Sequence, residues 1–386
     1  MRIAILMSLG SPWAREIAGH LAELGHEIHV IAYRHSSDGS YLSLDDVFQA
    51  AAIASLGQSV AGVHPAKVFG FGSARYLHLA AKMASLLRRL RPDVLFTLSG
   101  GGFAAAAYLS GFRPYAVYAT GSDILLGSPA KKKMSRHFLT AACVVFSNGQ
   151  YLGEKTRELA PRAAVVPIYH GIDPQKFAPG CPAPLPVRIL CTRGFLPIYN
   201  NELLVRALAH INNSFEDYET VFAAPGPQLN AAKRLADAIL LPTQRQRVRF
   251  LGGVSREEMA DLLRQSHVYV SMSKSDGTST SLLEALACGL FPILSDIPPN
   301  REWIYSNAAN GILVSPGDSA ALAAALTRAI TGVRGRREAG QFNRRLILDR
   351  ADTRANLPFL ASVLESRVED ARTQNPWRAP SAVSEK

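Results

Sequence analysis

Asp276 and Glu284 bracket a polar loop in the stretch Ser271–Asp296, which reads SMSKSDGTSTSLLEALACGLFPILSD. Gly277 sits among the hydroxyls of Thr278, Ser279 and Thr280, so backbone N–H groups can come close to a ligand. A helix start follows, and its positive dipole end favours an anion. Each acid also has a plain structural reading. Asp276-Gly277 is a turn pair. Ser281-Leu282-Leu283-Glu284 has capping-box spacing, a feature that stabilises by about 1 kcal/mol. A second cluster lies earlier. Ser99-Gly100-Gly101-Gly102 follows an apolar run, and Ala119-Thr120-Gly121-Ser122-Asp123 follows another. Three glycines let backbone approach a ligand, and Asp123 stands just past a strand end, as a ligand-facing acid or as the first-turn acid of a helix.

The elements that must position these groups alternate regularly. His267–Met272 reads as a strand, Ser273–Ser281 as a loop, Leu282–Cys288 as a helix stopped by Gly289, and Phe291–Ser295 as the next strand. The chain opens in the same way. Arg2–Met7 is a strand, Trp13–Leu24 a helix closed by Gly25, and Glu27–Ala32 a strand. This Rossmann-like opening lacks Gly-x-Gly-x-x-Gly and an acid ending the second strand, which argues against dinucleotide binding. Leu77–Leu90 is a basic amphipathic helix. Pro174–Pro186, with prolines at 174, 179, 182, 184 and 186, reads as a linker. After it the period restarts at Val187–Thr192, and a capping box, Ser255-Arg256-Glu257-Glu258, opens another helix. Gly332–Glu338 reads as a polar connection, Arg344–Glu365 as helical, and Arg367–Lys386 as disordered.

These elements predict an α/β protein of two Rossmann-like domains facing across a cleft, with a C-terminal helix packing back on the first. The boundaries are 1–173, linker 174–186, 187–340, C-terminal helices 341–366 and tail 367–386. The chain of 386 residues is 48% hydrophobic and 19% charged, as a globular protein is. Cys143, Cys181, Cys191 and Cys288 have no Cys-x-x-Cys spacing and read as reduced, which suits a cytoplasmic protein. No signal peptide precedes the first strand and no apolar run is long enough to span a bilayer. Net charge is +11, with concentrations at Arg88–Arg91 and Lys131–Lys133. Such patches suit an anionic membrane surface or simply a solvated face; no motif supports nucleic acid.

Over nearly its whole length, and most strongly over Val248–Asp318, the chain resembles the retaining GT-B glycosyltransferases of family four. The resemblance rests on VRFLGGVSREEMADLLRQSHVYVSMSKSDGTSTSLLEALACGLFPILSD and then NGILVSPGD. The family's Glu-x7-Glu pair stands here as Asp276-x7-Glu284. The resemblance implies that Glu284 holds the nucleotide ribose, that Asp276 faces the donor sugar, and that Gly277, Thr278, Ser279 and Thr280 hold the diphosphate. Arg193 would neutralise the leaving group; its structural alternative is a surface salt bridge. Leu251 and Gly252 would lie beside the base, Gly10 would line the cleft, and Gly101, Gly102 and Thr120 would face the acceptor. Two departures stand out. The family's lysine about five residues after the arginine is missing, with Tyr199 nearest its place, and Thr120 stands where a histidine is usual. Asp123 is the replacement candidate for the catalytic group.

The expected activity is transfer of a hexose from a nucleotide-sugar, a UDP-sugar above others, to a glycan, lipid-linked or glycolipid acceptor in surface polysaccharide or glycoconjugate synthesis. No cofactor and no metal are expected, since no Asp-x-Asp occurs. The competing reading is a non-catalytic, donor-binding or scaffolding subunit of a glycan assembly. The expected place is cytoplasmic, with a peripheral position on the inner membrane face as one option.

Overall fold

Short apolar runs alternating with helices resolve into two sheets, every neighbouring strand pair of which is parallel. The structure is a computed structural model that describes residues 1–8, 11–35, 60–68, 74–212, 217–305, 307 and 309–373. Gly10 and the end of the tail, 374–386, lie outside the described residues.

The chain divides into a unit of residues 1–170 with 355–386 and a unit of residues 171–354. The first holds β1 (Arg2–Met7), β2 (Glu27–His35), β3 (Gly62–Val68), β4 (Val94–Thr97), β5 (Tyr115–Ala119), β6 (Val144–Ser147) and β7 (Val165–Pro167), in the order β3-β2-β1-β4-β5-β6-β7. The second holds β8 (Val187–Cys191), β9 (Tyr218–Phe222), β10 (Val248–Phe250), β11 (Val268–Ser271), β12 (Phe291–Ser295) and β13 (Ile312–Val314), in the order β10-β9-β8-β11-β12-β13. Both orders reverse at the first strand of their unit, the doubly wound arrangement whose ligand crevice lies past the carboxyl strand ends.

Strand periodicity explains the first unit's two cores. Ile3, Ile5 and Met7 point to one face and Ala4 and Leu6 to the other, all fully buried. The helix Thr353–Thr373 closes the first of these faces through Leu357, Leu360, Ala361, Leu364 and Val368. It runs past residue 366 into the segment expected to be irregular, because Val368 still finds apolar neighbours there. The helix Val333–Arg350, by contrast, lies in the second unit and takes in the supposed polar connection Gly332–Glu338. The reason is Arg336, which is buried and donates to the Ala329 and Ile330 carbonyls at the end of the preceding helix. A hydrophilic sequence there does the work of a cap.

The proline-rich stretch is anchored. Phe177 is fully buried, and Arg344 donates to the Pro174 carbonyl at 2.8 Å and the Phe177 carbonyl at 2.7 Å. Gly289, at φ +76°, ends the helix Thr280–Ala287, and a Cβ on Gly340 would collide with the Gly289 carbonyl oxygen. Two helices therefore meet there backbone to backbone. Among the described residues no helix is long and apolar enough to cross a membrane.

Candidate active site

Four loops past the carboxyl ends of β8, β9, β10 and β11 build the second unit's site. The β8 loop carries Arg193 and is held from both sides. Buried Asn201 donates to the Arg193 carbonyl at 2.8 Å and to that of Gly194 at 3.2 Å. Phe195 N–H donates to the Pro225 carbonyl at 2.9 Å, pinning the β9 loop to it. Gly226 permits that approach: its φ is +152°, and a Cβ would stand 2.6 Å from the Phe195 nitrogen.

Arg193 is the hub. Its Nη2 donates to Asp276 Oδ2 at 2.6 Å, and its Nη1 to Ser279 Oγ at 2.7 Å and Ser281 Oγ at 3.2 Å. The Tyr199 ring faces the guanidinium at 3.9 Å. The arginine side chain is 11% exposed and Asp276 20%, so this is a shielded pair and not the surface salt bridge of the plain reading. Burial raises the Asp276 carboxyl above the ordinary aspartate range, against the opposing pull of Arg193 and the Gly277 N–H. The Arg193 Nε–H is buried and finds no hydrogen-bond partner among the described residues. A buried, unsatisfied cationic donor is costly unless something anionic meets it.

The helix that follows begins at Thr280. Its N-cap is Ser279, whose Oγ accepts from Leu282 N–H at 3.4 Å. The Ser281–Glu284 capping box does not form. Instead Ser281 Oγ bonds the Tyr269 hydroxyl at 2.9 Å, and buried Glu284 pairs with Arg256, whose guanidinium lies 4.7 Å over the Phe177 ring. The Ser255 box does form: Glu258 N–H donates to Ser255 Oγ at 3.1 Å and Ser255 N–H to Glu258 Oε2 at 2.7 Å. Thr278 and Ser279 are buried beside Asp276. Leu251, half-exposed, and Gly252, at φ +76°, form the turn after β10.

The first unit's cluster is equally ordered, with a different outcome for Asp123. Its carboxylate accepts from the N–H groups of Gly100, of Thr120 at 3.1 Å and of Gly121 at 2.8 Å. These bonds brace two glycine turns, which is the turn-and-helix-start role; they use the oxygens a catalytic acid would need. Gly101 packs 3.4 Å from the Asp123 Cβ, measured to its own ideal Cβ, and a Cβ on Gly102 would fall inside the Tyr76 ring. Gly102 also lines a cavity of about 330 Å³ in this unit.

Sequence reading found Arg193, Asp276 and Ser279, which the structure brings together, but not their supports. Tyr199 and Asn201 carry no motif, Ser281 reads in the sequence only as a helix cap, and Arg256 only as the residue after one. Lys274 was also missed. Its N–H donates to the Ile198 carbonyl at 2.8 Å, so its backbone adjoins the loop position where the expected lysine is lacking. Its side chain is exposed, and among the described residues it makes no ion pair.

The family model described as Glycosyl transferases group 1 matches residues 186–345, and that described as Glycosyltransferase Family 4 matches 12–176. The N-acetyl-alpha-D-glucosaminyl L-malate synthase of Bacillus anthracis is 25% identical over 80% of this chain and 81% of its own length. The GDP-mannose:cellobiosyl-diphosphopolyprenol alpha-mannosyltransferase of Xanthomonas oryzae is 27% identical over 44% of each chain. The yeast GPI3 subunit of phosphatidylinositol N-acetylglucosaminyltransferase matches over only 25% of its length, so the chain spans less than half of these last two relatives. Among solved structures, Anabaena HepE in complex with UDP and glucose superposes with a TM-score of 0.74 at 18% identity, over 95% of this chain and all (100%) of that one. Sucrose-phosphate synthase of Thermosynechococcus elongatus gives 0.77 at 15% identity, over 96% and 100%. At these identities the likeness is one of fold.

Proposed function

The chain belongs to the glycosyl transferases group 1, the family-four glycosyltransferases of GT-B fold, and from that premise we propose that it moves a hexose from a UDP-sugar to a hydroxyl of a glycan, lipid-linked or glycolipid acceptor, with retention of anomeric configuration. The observation that carries the reading is the buried Arg193 with its unsatisfied Nε–H at the start of the helix Thr280–Ala287. A cation at the positive end of a helix dipole is unfavourable alone, and Asp276 is the anion that offsets it. A diphosphate would take over that balance.

In this reading the charge that develops on the departing diphosphate meets Arg193 and the N–H groups of Gly277 to Thr280. Such preorganised donors are worth most in a shielded site. The guanidinium and helix end supply the positive charge a metal would otherwise bring, so transfer persists in a chelator. Asp276 faces the sugar and Glu284, oriented by Arg256, accepts from the ribose hydroxyls. Lys274, whose backbone adjoins the Arg193 loop, would add a second cation for the diphosphate. Leu251 and Gly252 flank the base. UDP is favoured by the HepE complex, whereas the Xanthomonas enzyme is named for GDP-mannose. The deciding experiment titrates UDP, GDP and their sugars into the full chain, following melting temperature and nucleotide release. Stabilisation by a UDP-sugar, lost in Arg193→Ala, supports the reading; stabilisation by GDP-mannose alone replaces the base.

One observation favours a second reading, a donor-binding subunit without turnover. Asp123, the carboxylate expected there, is engaged by three N–H groups that brace its own turns. Donor hydrolysis or transfer across an acceptor panel excludes this reading.

The partner surface we assign is an anionic membrane. Residues 94–153 contain five cations, Arg113, Lys131, Lys132, Lys133 and Arg136, and one acid, the internally bonded Asp123. On the helix Pro129–Thr140 the three exposed lysines run directly into exposed Met134, and exposed Leu126 precedes the helix. Cations of this kind contribute about 1 kcal/mol each at an anionic surface. Flotation with phosphatidylglycerol vesicles at low salt tests it; failure to float there rejects it.

A further inference from the structure

Arg193 reaches its site on a long side chain with many rotamers, so its usefulness depends on what keeps it still. The edge of the guanidinium is held by groups with other uses. Nη2 donates to Asp276 at 2.6 Å and Nη1 to Ser279 at 2.7 Å. In the transferase reading Asp276 faces the sugar and Ser279 lies at the diphosphate, so a bound donor competes for both bonds. The contact on the face of the guanidinium is different in kind. It is the Tyr199 ring, with the guanidinium carbon 3.9 Å from the ring centre. A guanidinium is weakly hydrated and stacks readily on an aromatic face. An apolar face offers a donor's phosphates and hydroxyls no hydrogen bond to claim.

The ring is carried on a braced turn. Tyr199 N–H donates to the Leu196 carbonyl at 3.0 Å, and Leu196 N–H to the Gly194 carbonyl at 2.9 Å. Just before the ring, the Ile198 carbonyl accepts from Lys274 N–H at 2.8 Å. Just after it, Asn200 takes the left-handed conformation at φ +53°, and buried Asn201 bonds back to the Arg193 and Gly194 carbonyls. A Cβ on Gly194 would stand 3.8 Å from the ring, an ordinary contact distance. Arginine and ring thus belong to one closed turn. Tyr199 is half-buried, and among the described residues its hydroxyl makes no hydrogen bond. An uncharged phenol cannot neutralise a diphosphate; what it supplies to Arg193 is a surface.

We propose that Tyr199 is a positioning residue: its ring face fixes the plane of the Arg193 guanidinium, so that the cation keeps its place when the donor draws Asp276 and Ser279 away. The role in the reaction rests on the transferase reading, whereas the hold on the arginine does not.

The test uses the full chain, isotope-labelled for NMR, with Tyr199→Phe, Tyr199→Leu and Tyr199→Met; the last two remove the face in two shapes, so that one poorly folded variant does not end the experiment. Arg193→Lys identifies the Arg193 Nε–H resonance by its loss. Before any donor is added, that resonance is expected to carry the ring's shift in the wild type and in Tyr199→Phe, and to lose it in the leucine and methionine variants. A resonance that stays unmoved in those two overturns the positioning. In nucleotide release from a UDP-sugar, kcat should fall about tenfold in Tyr199→Leu and Tyr199→Met with KM for the donor nearly unchanged, while Tyr199→Phe stays within about twofold of the wild type. Native kcat without the ring, a loss confined to KM, or a loss as large in Tyr199→Phe overturns the role in the reaction. A wild type that releases no nucleotide counts against the transferase reading, and the resonance still decides whether Tyr199 holds the arginine.

Discussion

Arg193 and Asp276, 83 residues apart in the chain, meet at 2.6 Å with most of both side chains out of water. The pair joins the loop after β8 to the loop after β11, and Tyr199 holds the arginine from its other side. Arg193→Lys keeps the charge but loses the fork that reaches Asp276, Ser279 and Ser281 together. We expect kcat to fall by about 100-fold or more in both Arg193→Lys and Arg193→Ala, the cost of removing a transition-state donor. Nucleotide release under saturating donor measures it. A lysine variant with near-native kcat would show that only the charge matters.

The raised carboxyl of Asp276 gives a signed pH effect. Burial lifts its folded pKa above the unfolded value of about 3.9, so the native state binds the proton more tightly. That contribution to stability is present below the unfolded pKa and is lost as pH rises through the folded one. The stability of the wild type relative to Asp276→Asn should therefore decrease as pH rises from about 4 towards neutrality. Parallel urea melts across that range read the difference. A difference that grows with pH would mean that Arg193 outweighs burial and holds the carboxyl below its usual range.

Glu284 and Arg256 make a second shielded pair, and the glutamate is 5% exposed. Glu284→Gln is expected to weaken nucleotide binding by about 10- to 100-fold, the loss of one or two charge-assisted bonds to hydroxyls. Arg256→Met should weaken it in the same direction and, by removing the cation that faces the buried Glu284, also lower the melting temperature. If nucleotide affinity survives Glu284→Gln, the pair is structural only.

Lys274 is expected to act on rate more than on fold. Lys274→Met should leave the urea midpoint within the small range of surface changes, about 0.5 kcal/mol, while lowering kcat. An unchanged kcat would remove the lysine from the reaction.

Gly226 and Gly102 are predicted to differ as alanines. At Gly226 the new Cβ meets the Phe195 backbone with φ at +152°, and backbone cannot step aside. At Gly102 it meets the Tyr76 ring, which can rotate away. Gly226→Ala should cost about 2–3 kcal/mol and Gly102→Ala less. Equal urea midpoints for the two variants would contradict this.

Much of this molecule was legible beforehand because its strands are buried on both faces and therefore spell continuous apolar runs, as Ile3–Met7 and Val268–Ser271 do. The Ser255 box and the Gly289 stop were readable for the same local reason: their partners lie within a few residues. Legibility ended where partners come from elsewhere in the chain. Ser281 could have capped its own helix, but Tyr269 and Arg193 claim its hydroxyl from other elements. Asp123 had the right neighbourhood for chemistry, yet the backbone N–H groups of Gly100 and Thr120 reach it first. The first turns of the helix Val333–Arg350 read as a polar connection because Arg336, which anchors them, is a charge doing interior work.

The meeting of Gly289 with Gly340 bears on how freely the protein can vary. A contact between two main chains has no rotamers to spend, so neither position can absorb a change at the other. In a library randomised at both sites and selected for folding, we expect glycine to return at 340 whatever else is mutated nearby. The helix bearing Glu284 would thus be among the least negotiable placements in the molecule, fixed by two residues that have no side chain at all.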